Sequence, residues 1–199
     1  MKTAAPALPR HRTIFAVDIE ASTSRTNPGR ARFREQMYEL LENVLLDSGI
    51  DKRHRDHLDR GDGAVYLVRP VDDLPKTRLL DSVIPRMIQR LTELQAEQPE
   101  NSFRMRVAIH AGEVHNDHLG WYGEDLDITF RLLNSPRVKK ILKQSNAPLV
   151  LVVSEEIYVK VIRHGYDGID QRTFNQTVQV SMAGRRQRGY VQAPAALTA

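Results

Sequence analysis

The order in which two periodicities alternate along this chain constrains its fold more than any other feature. Residues 13–17 form a strand-length apolar run that stops at Asp18, the pattern of a buried strand with a carboxylate at its C-terminal end. Phe33, Met37, Leu40, Leu41, Val44 and Leu45 then fall on one face of a helix. Residues 54–60 and 64–68 read as a hairpin turning at Gly61-Asp62-Gly63. A second amphipathic helix runs through Leu79, Val83, Met87, Leu91 and Leu94, and Pro85, which lacks a backbone donor, bends it. Phe103, Met105, Val107 and Ile109 alternate with Arg104, Arg106, Ala108 and His110, the period of a strand with one face in the core. Residues 124–133 read as a helix, and Pro136 separates it from a second short one through Val138, Ile141 and Leu142. Residues 149–153 make another buried strand, Ser154-Glu155-Glu156 caps and opens a helix, and residues 174–180 and 187–192 close the chain as a hairpin. The order β-α-β-β-α-β with its additions predicts an α+β fold, a ferredoxin-like mixed β-sheet with helices on one face.

The 199 residues fit one domain over residues 13–193, with a flexible lead-in over residues 1–12 and a tail over residues 194–199. The absence of cysteine excludes disulfides and thiolate metal sites. The longest apolar runs are about five residues, far below the roughly 20 that span a bilayer, so the expectation is a cytoplasmic protein with no membrane partner. Lys and Arg number 29 against 25 Asp and Glu, a formal charge of +4. A pocket for one nucleoside triphosphate accounts for so small an excess as well as nucleic acid does, and no nucleic-acid partner is expected. The sharpest basic cluster, Arg185, Arg186 and Arg188, reads as a solvated hairpin turn with a binding patch as the alternative, and the sequence leaves open which of Arg185, Arg186 or Lys160 holds a triphosphate tail.

A tight turn requires glycine, but it does not require a carboxylate between two glycines. In the expected topology the first strand lies beside the hairpin, so Asp18 and Asp62 face each other. Like charges at that range are tolerated mainly around a cation, and hard oxygen ligands without His or Cys suit Mg²⁺ or Mn²⁺ shared with substrate phosphates. The alternative is that Asp62 is an ordinary turn residue. Residues 19–25, including Ser22 and Thr23, form a polar loop ahead of a helix whose backbone N–H groups can hold a phosphate. Asp127 and Arg131 stand four apart on one helix face, either as an intrahelical ion pair or with Arg131 free to neutralise charge on a reacting phosphorus. The pairs His115/His118 and His54/His57 lack a third ligand for zinc, and His110 reads as structural.

With these elements in place, the segments "FAVDIEASTSR", "DRGDGAVYLV", "RVAIHAGEV" and "WYGEDLDITFRLL" together resemble the catalytic domain of class III nucleotidyl cyclases, in the family's order. The resemblance implies a palm-type fold assembled as a head-to-tail homodimer with shared active sites. It implies two Mg²⁺ or Mn²⁺ ions per site, held by Asp18, Asp62 and the Ile19 carbonyl. It also implies that Arg131 is the transition-state arginine and that Asp127 replaces the ribose-orienting asparagine. At the family's purine-selecting positions the chain departs, carrying Leu58 and Gly120, whose side chains offer no donor or acceptor. With Trp121 and Tyr122 narrowing the pocket, a pyrimidine substrate, UTP or CTP, is expected, as in the bacterial cytidylate and uridylate cyclases of anti-phage signalling. In that setting the regulator and the effector that receives the cyclic nucleotide are separate chains. Trp121 and Tyr122 serve equally as packing aromatics. A catalytically silent domain that binds nucleotide or dimerises is the alternative, and polymerase or diguanylate synthase palm domains pair aspartates in a related way.

Overall fold

The computed structural model describes residues 8–22 and 25–192. Strand β1 (Arg10–Ile19) leads into helix α1 (Asn27–Asp47), which opens at Thr26 with Pro28 in its first turn and buries Phe33, Met37, Leu41, Val44 and Leu45. The hairpin β2 (Arg55–Asp59) and β3 (Gly63–Val68) follows. A π-helical turn, Leu79–Val83, then runs into α2 (Ile84–Glu97), and Pro85 stands at the joint, where its missing N–H fits a change of hydrogen-bond register. The long strand β4 (Met105–Asp117), the short β5 (Gly120–Tyr122), α3 (Glu124–Leu133), α4 (Pro136–Lys143), β6 (Leu149–Ser154), α5 (Glu155–Lys160), β7 (Gln176–Met182) and β8 (Arg185–Val191) complete the order. The first strand starts at Arg10, inside the expected lead-in, because residues 10–12 continue its pairing with Val114, Glu113 and Gly112 of β4.

The sheet runs β2-β3-β1-β4-β6-β8-β7, with β5 on the end of β4. All its pairings are antiparallel except β4 with β6. The helices occupy both faces, not the single face expected from the order of elements. On one face Phe15, Val17, Ile19, Tyr66, Val107 and Ile109 pack under α1, α2 and α5. On the other, Ile14, Ala16, Val65, Leu67, Ala108 and Val152 pack under Leu126, Leu132, Val138 and Leu142 of α3 and α4. Residues 105–111 of β4 are therefore buried on both sides, where the alternation had indicated one. The arginine and histidine of its polar phase lie beneath a second helical layer rather than in water.

Candidate active site

Strand pairing alone brings the two aspartates together. Asp18, at the end of β1, stands opposite Gly63 of β3 on one side and Arg106 of β4 on the other. The Ile19 N–H donates to the Asp62 carbonyl at 3.0 Å, which fixes the turn against the strand. Gly63 is required by this closeness, since a Cβ there would lie 2.4 Å from the Val17 carbonyl oxygen. Gly61 has φ +79°, which a side chain disfavours. Asp18, Ile19, Ser22 and Asp62 thus line one wall of a cleft of about 650 Å³, and Arg60, Arg106, Phe130, Asn134 and Lys139 contribute to the rest.

Both carboxylates of this cleft have partners within their own chain. Arg106 forms an ion pair with Asp18, and the Ser22 hydroxyl donates to Asp62. Arg106 is only 8% exposed, its Nε is buried without a partner, and burial pushes its guanidinium below the usual arginine range. With Arg60 and Lys139 the basic side chains outnumber the two carboxylates, so the cleft favours a polyanion. Among the described residues no cluster of three or more His, Cys, Asp or Glu gathers to hold an ion. The carboxylate donors for a cation among the residues lining the cleft are Asp18 and Asp62. Two hard oxygen groups fit Mg²⁺ or Mn²⁺ whose remaining ligands come from backbone, water and substrate phosphate.

The remaining candidates lie elsewhere. Asp127 and Arg131 are exposed, neither lines this cleft, and among the described residues neither has an ion-pair partner, so the intrahelical pair is not formed. Asp127 instead borders a second cavity of about 490 Å³ with Trp121, Tyr122, Phe130 and Met182, and Arg60 reaches both cavities while its guanidinium sits 4.5 Å from the Phe130 ring. Trp121 is held by Arg12 at 5.5 Å and Tyr122 stacks on His115 at 5.3 Å. Leu58 packs against the core beneath α3 and α4, and neither it nor Gly120 borders either cavity. Thr23 lies outside the described residues. Lys160 pairs with Glu156 at 2.6 Å, and Arg185 and Arg186 sit on the β7–β8 hairpin away from the cleft. Sequence reasoning missed Arg106 and Lys139. The signal for Arg106 was its place in the polar phase of a strand otherwise built for the core, whereas nothing local distinguishes Lys139 from the other basic residues of α4.

His110 is bonded at both ring nitrogens within its own chain. Its ring bonds Ser154 at 2.7 Å and Asp125 at 2.8 Å, is 6% exposed, and ties α3 and α5 to β4. Gly112 makes room for this, since a Cβ there would meet the Asp125 carboxylate at 2.1 Å.

The second aspartate of the hairpin, Asp59, is bound from α1. Arg34 donates to both of its carboxylate oxygens, at 2.6 and 2.5 Å, and to the Gly61 carbonyl at 2.5 Å. The Tyr38 hydroxyl donates to Asp59 at 2.8 Å and the Gly61 N–H does so at 2.8 Å. These bonds, the Arg34 fork first, hold the Asp59 carboxyl well below the usual carboxylate range. A carboxyl depressed in the folded state stabilises above its unfolded pKa of about 3.9 and loses that contribution as pH falls through the folded value. Because the pair is exposed and screened by solvent, thermal melts should show Asp59→Asn less stable by a small, constant margin from about pH 8 to about pH 5, a margin that closes only below about pH 4. A margin that already closed near neutral pH would contradict this charge-assisted tie.

No protein-family model and no curated protein matches the chain by sequence. Solved structures do. An adenylate/guanylate cyclase/hydrolase from Silicibacter pomeroyi superposes with TM-score 0.65 at 16% identity, over 96% of this chain and 100% of that one. The guanylyl cyclase Cya2 gives 0.64 at 15% identity, covering 98% and 97%. The adenylyl cyclase CyaB from P. aeruginosa gives 0.63 at 14%, covering 97% and 98%. The likeness spans nearly the whole of each chain, and with the strand order above it shows that this protein carries the fold of the class III nucleotidyl cyclase catalytic domain.

Proposed function

We propose that the chain is a nucleotidyl cyclase that converts a nucleoside triphosphate to its 3′,5′-cyclic monophosphate and pyrophosphate. The observation that carries this reading is the convergence of Asp18 and Asp62 on one cleft whose other charged side chains are cationic. In the reaction the 3′-oxygen bonds to its own α-phosphorus, the bond from that phosphorus to the β-bridging oxygen breaks, and the hydroxyl proton passes to solvent. Asp18 and Asp62, with the Ile19 carbonyl, would hold the divalent cations, which when bound lower the pKa of the attacking hydroxyl and polarise the phosphates. Arg106 lies beside Asp18, where its buried guanidinium neutralises charge on the triphosphate. Ser22 orients Asp62.

Arg131 is assigned to the transition state, where it stabilises charge on the crowded phosphorus, and Asp127 to the ribose. Both are exposed and outside the cleft of their own chain, which supports their donation to the cleft of a second copy in a head-to-tail dimer. A pyrimidine base is favoured because Leu58 and Gly120 offer no purine-reading group, while Trp121 and Tyr122 border the cavity that Asp127 shares. A cyclic pyrimidine nucleotide made in this way fits a signal in anti-phage defence, read by a separate effector protein. One observation favours the silent-domain alternative, since Asp18 and Asp62 are already satisfied by Arg106 and Ser22.

The purified protein, incubated with each of the four nucleoside triphosphates and Mn²⁺, is expected to yield a cyclic pyrimidine nucleotide by mass spectrometry. Arg131→Ala should lower that rate by about 10³-fold with binding retained. Nucleotide binding without product from any of the four would establish the silent domain instead.

A further inference from the structure

The sequence motif Asp59-Arg60-Gly61-Asp62-Gly63 contains an aspartate that the proposed chemistry leaves unused. The turn that presents Asp62 is short, contains a glycine at positive φ, and lies at the edge of the sheet beyond β1. Left to itself such a turn samples several backbone conformations, and a carboxylate displaced by about 1 Å grips a cation poorly. Beyond the strand ladders that end at Asp59 and Gly63, its main-chain ties among the described residues are Ile19 N–H to Asp62 and Arg60 N–H to Gly63, each at 3.0 Å.

The rest of the restraint comes from α1. Arg34 and Tyr38 stand one helical turn apart, beside the buried stripe of Phe33, Met37 and Leu41, and so face the hairpin as a pair. Arg34 grips both oxygens of Asp59 and the Gly61 carbonyl, Tyr38 adds bonds to Asp59 and, at 3.4 Å, to the Gly63 carbonyl, and Asp59 in turn accepts the Gly61 N–H. The residues on either side of Asp62 are thereby tied to one rigid helix. A cavity of about 150 Å³ is lined by Arg34, Gly61, Asp62, Ser22 and Ile19, and Arg34 does not line the cleft itself, so it holds the turn without occupying the cleft. An exposed ion pair contributes little to stability, so a fork and a phenol spent here point to placement of the turn.

We infer that Arg34 and Tyr38, acting through Asp59, are positioning residues that hold the Asp62 carboxylate where it can share a divalent cation with Asp18. The inference rests on the cyclase reading for the role of Asp62, but its test does not depend on turnover.

Two measurements on Arg34→Gln, with Arg34→Lys as the conservative variant, decide it. In hydrogen–deuterium exchange, the peptide spanning Gly61 to Gly63 should exchange at least tenfold faster in Arg34→Gln while β1, β4 and α2 keep wild-type protection. In direct Mn²⁺ titration followed by electron paramagnetic resonance, with a non-hydrolysable nucleoside triphosphate present, Mn²⁺ affinity should fall about tenfold, with nucleotide affinity changed less than about twofold. Arg34→Lys should recover part of that loss, because one ammonium replaces the charge but not the fork. Excess Mn²⁺ should restore kcat toward wild type with KM for nucleotide unmoved, which a merely loosened fold would not allow. Wild-type Mn²⁺ affinity in Arg34→Gln, whether or not the turn exchanges faster, overturns the inference and leaves the cyclase reading standing. A wild-type protein that binds no Mn²⁺ overturns the cyclase reading and the inference with it.

Discussion

Replacing Asp62 with alanine is expected to lower cyclic-nucleotide production by about 10³-fold or more, with the fold retained. The expectation follows from where the residue is anchored. What the turn needs from Asp62 is its carbonyl, which accepts from Ile19, and its neighbours Gly61 and Gly63, all of which survive the substitution. The carboxylate faces the cleft and its bonded partner is a serine hydroxyl, so its removal creates no core cavity and strands no buried charge. Asp18 would then confront the cations alone, beside an arginine that competes for it. Product quantified by mass spectrometry, beside a thermal melt within a few degrees of wild type, checks both halves. Retained turnover in a folded Asp62→Ala protein would remove this turn from the chemistry.

A second large effect is a recovery. Asp62→Ala and Arg131→Ala proteins should each be nearly inactive, and mixing them in equal amounts should restore about a quarter of wild-type activity. If the cations are held by one copy and the arginine comes from the other, a mixed dimer contains one site with both defects and one with neither. Random exchange makes half of the dimers mixed, and half of the sites in those are intact. Arg131 is exposed and outside the cleft that Asp18 and Asp62 line, which is why complementation is expected. The assay is a rate measurement after co-incubation across a range of ratios. Mixtures no more active than the single variants, although the chains form dimers by light scattering, would place the arginine and the cations in the same copy.

Much of this molecule is legible in one dimension because side-chain periodicity is a local property. The bounds of α3 at Glu124 and Leu133 follow from a glycine before it and an apolar stripe along it, and the capping of α5 by Ser154 follows from a serine ahead of two acids. The pairing of Asp18 with the Asp62 turn was likewise readable, since a carboxylate between glycines needs a reason that turn geometry does not supply. The second helical layer was not. A strand buried on both faces hides its arginines and histidine inside an alternation that looks amphipathic, and no local pattern says what covers them.

Contacts between residues distant in the sequence decided the rest. Arg106 enters the cleft only because antiparallel register sets it opposite Asp18, and Asp59 acquires its partners only because α1 brings Arg34 and Tyr38 to the hairpin. The chain alone determined which elements form and marked Asp18 and Asp62 as candidate cation ligands, since both readings depend on neighbours within a few positions. Which of those residues share a cleft, and which bond to one another across the fold, depends on long-range pairing, whose partners the local sequence does not name.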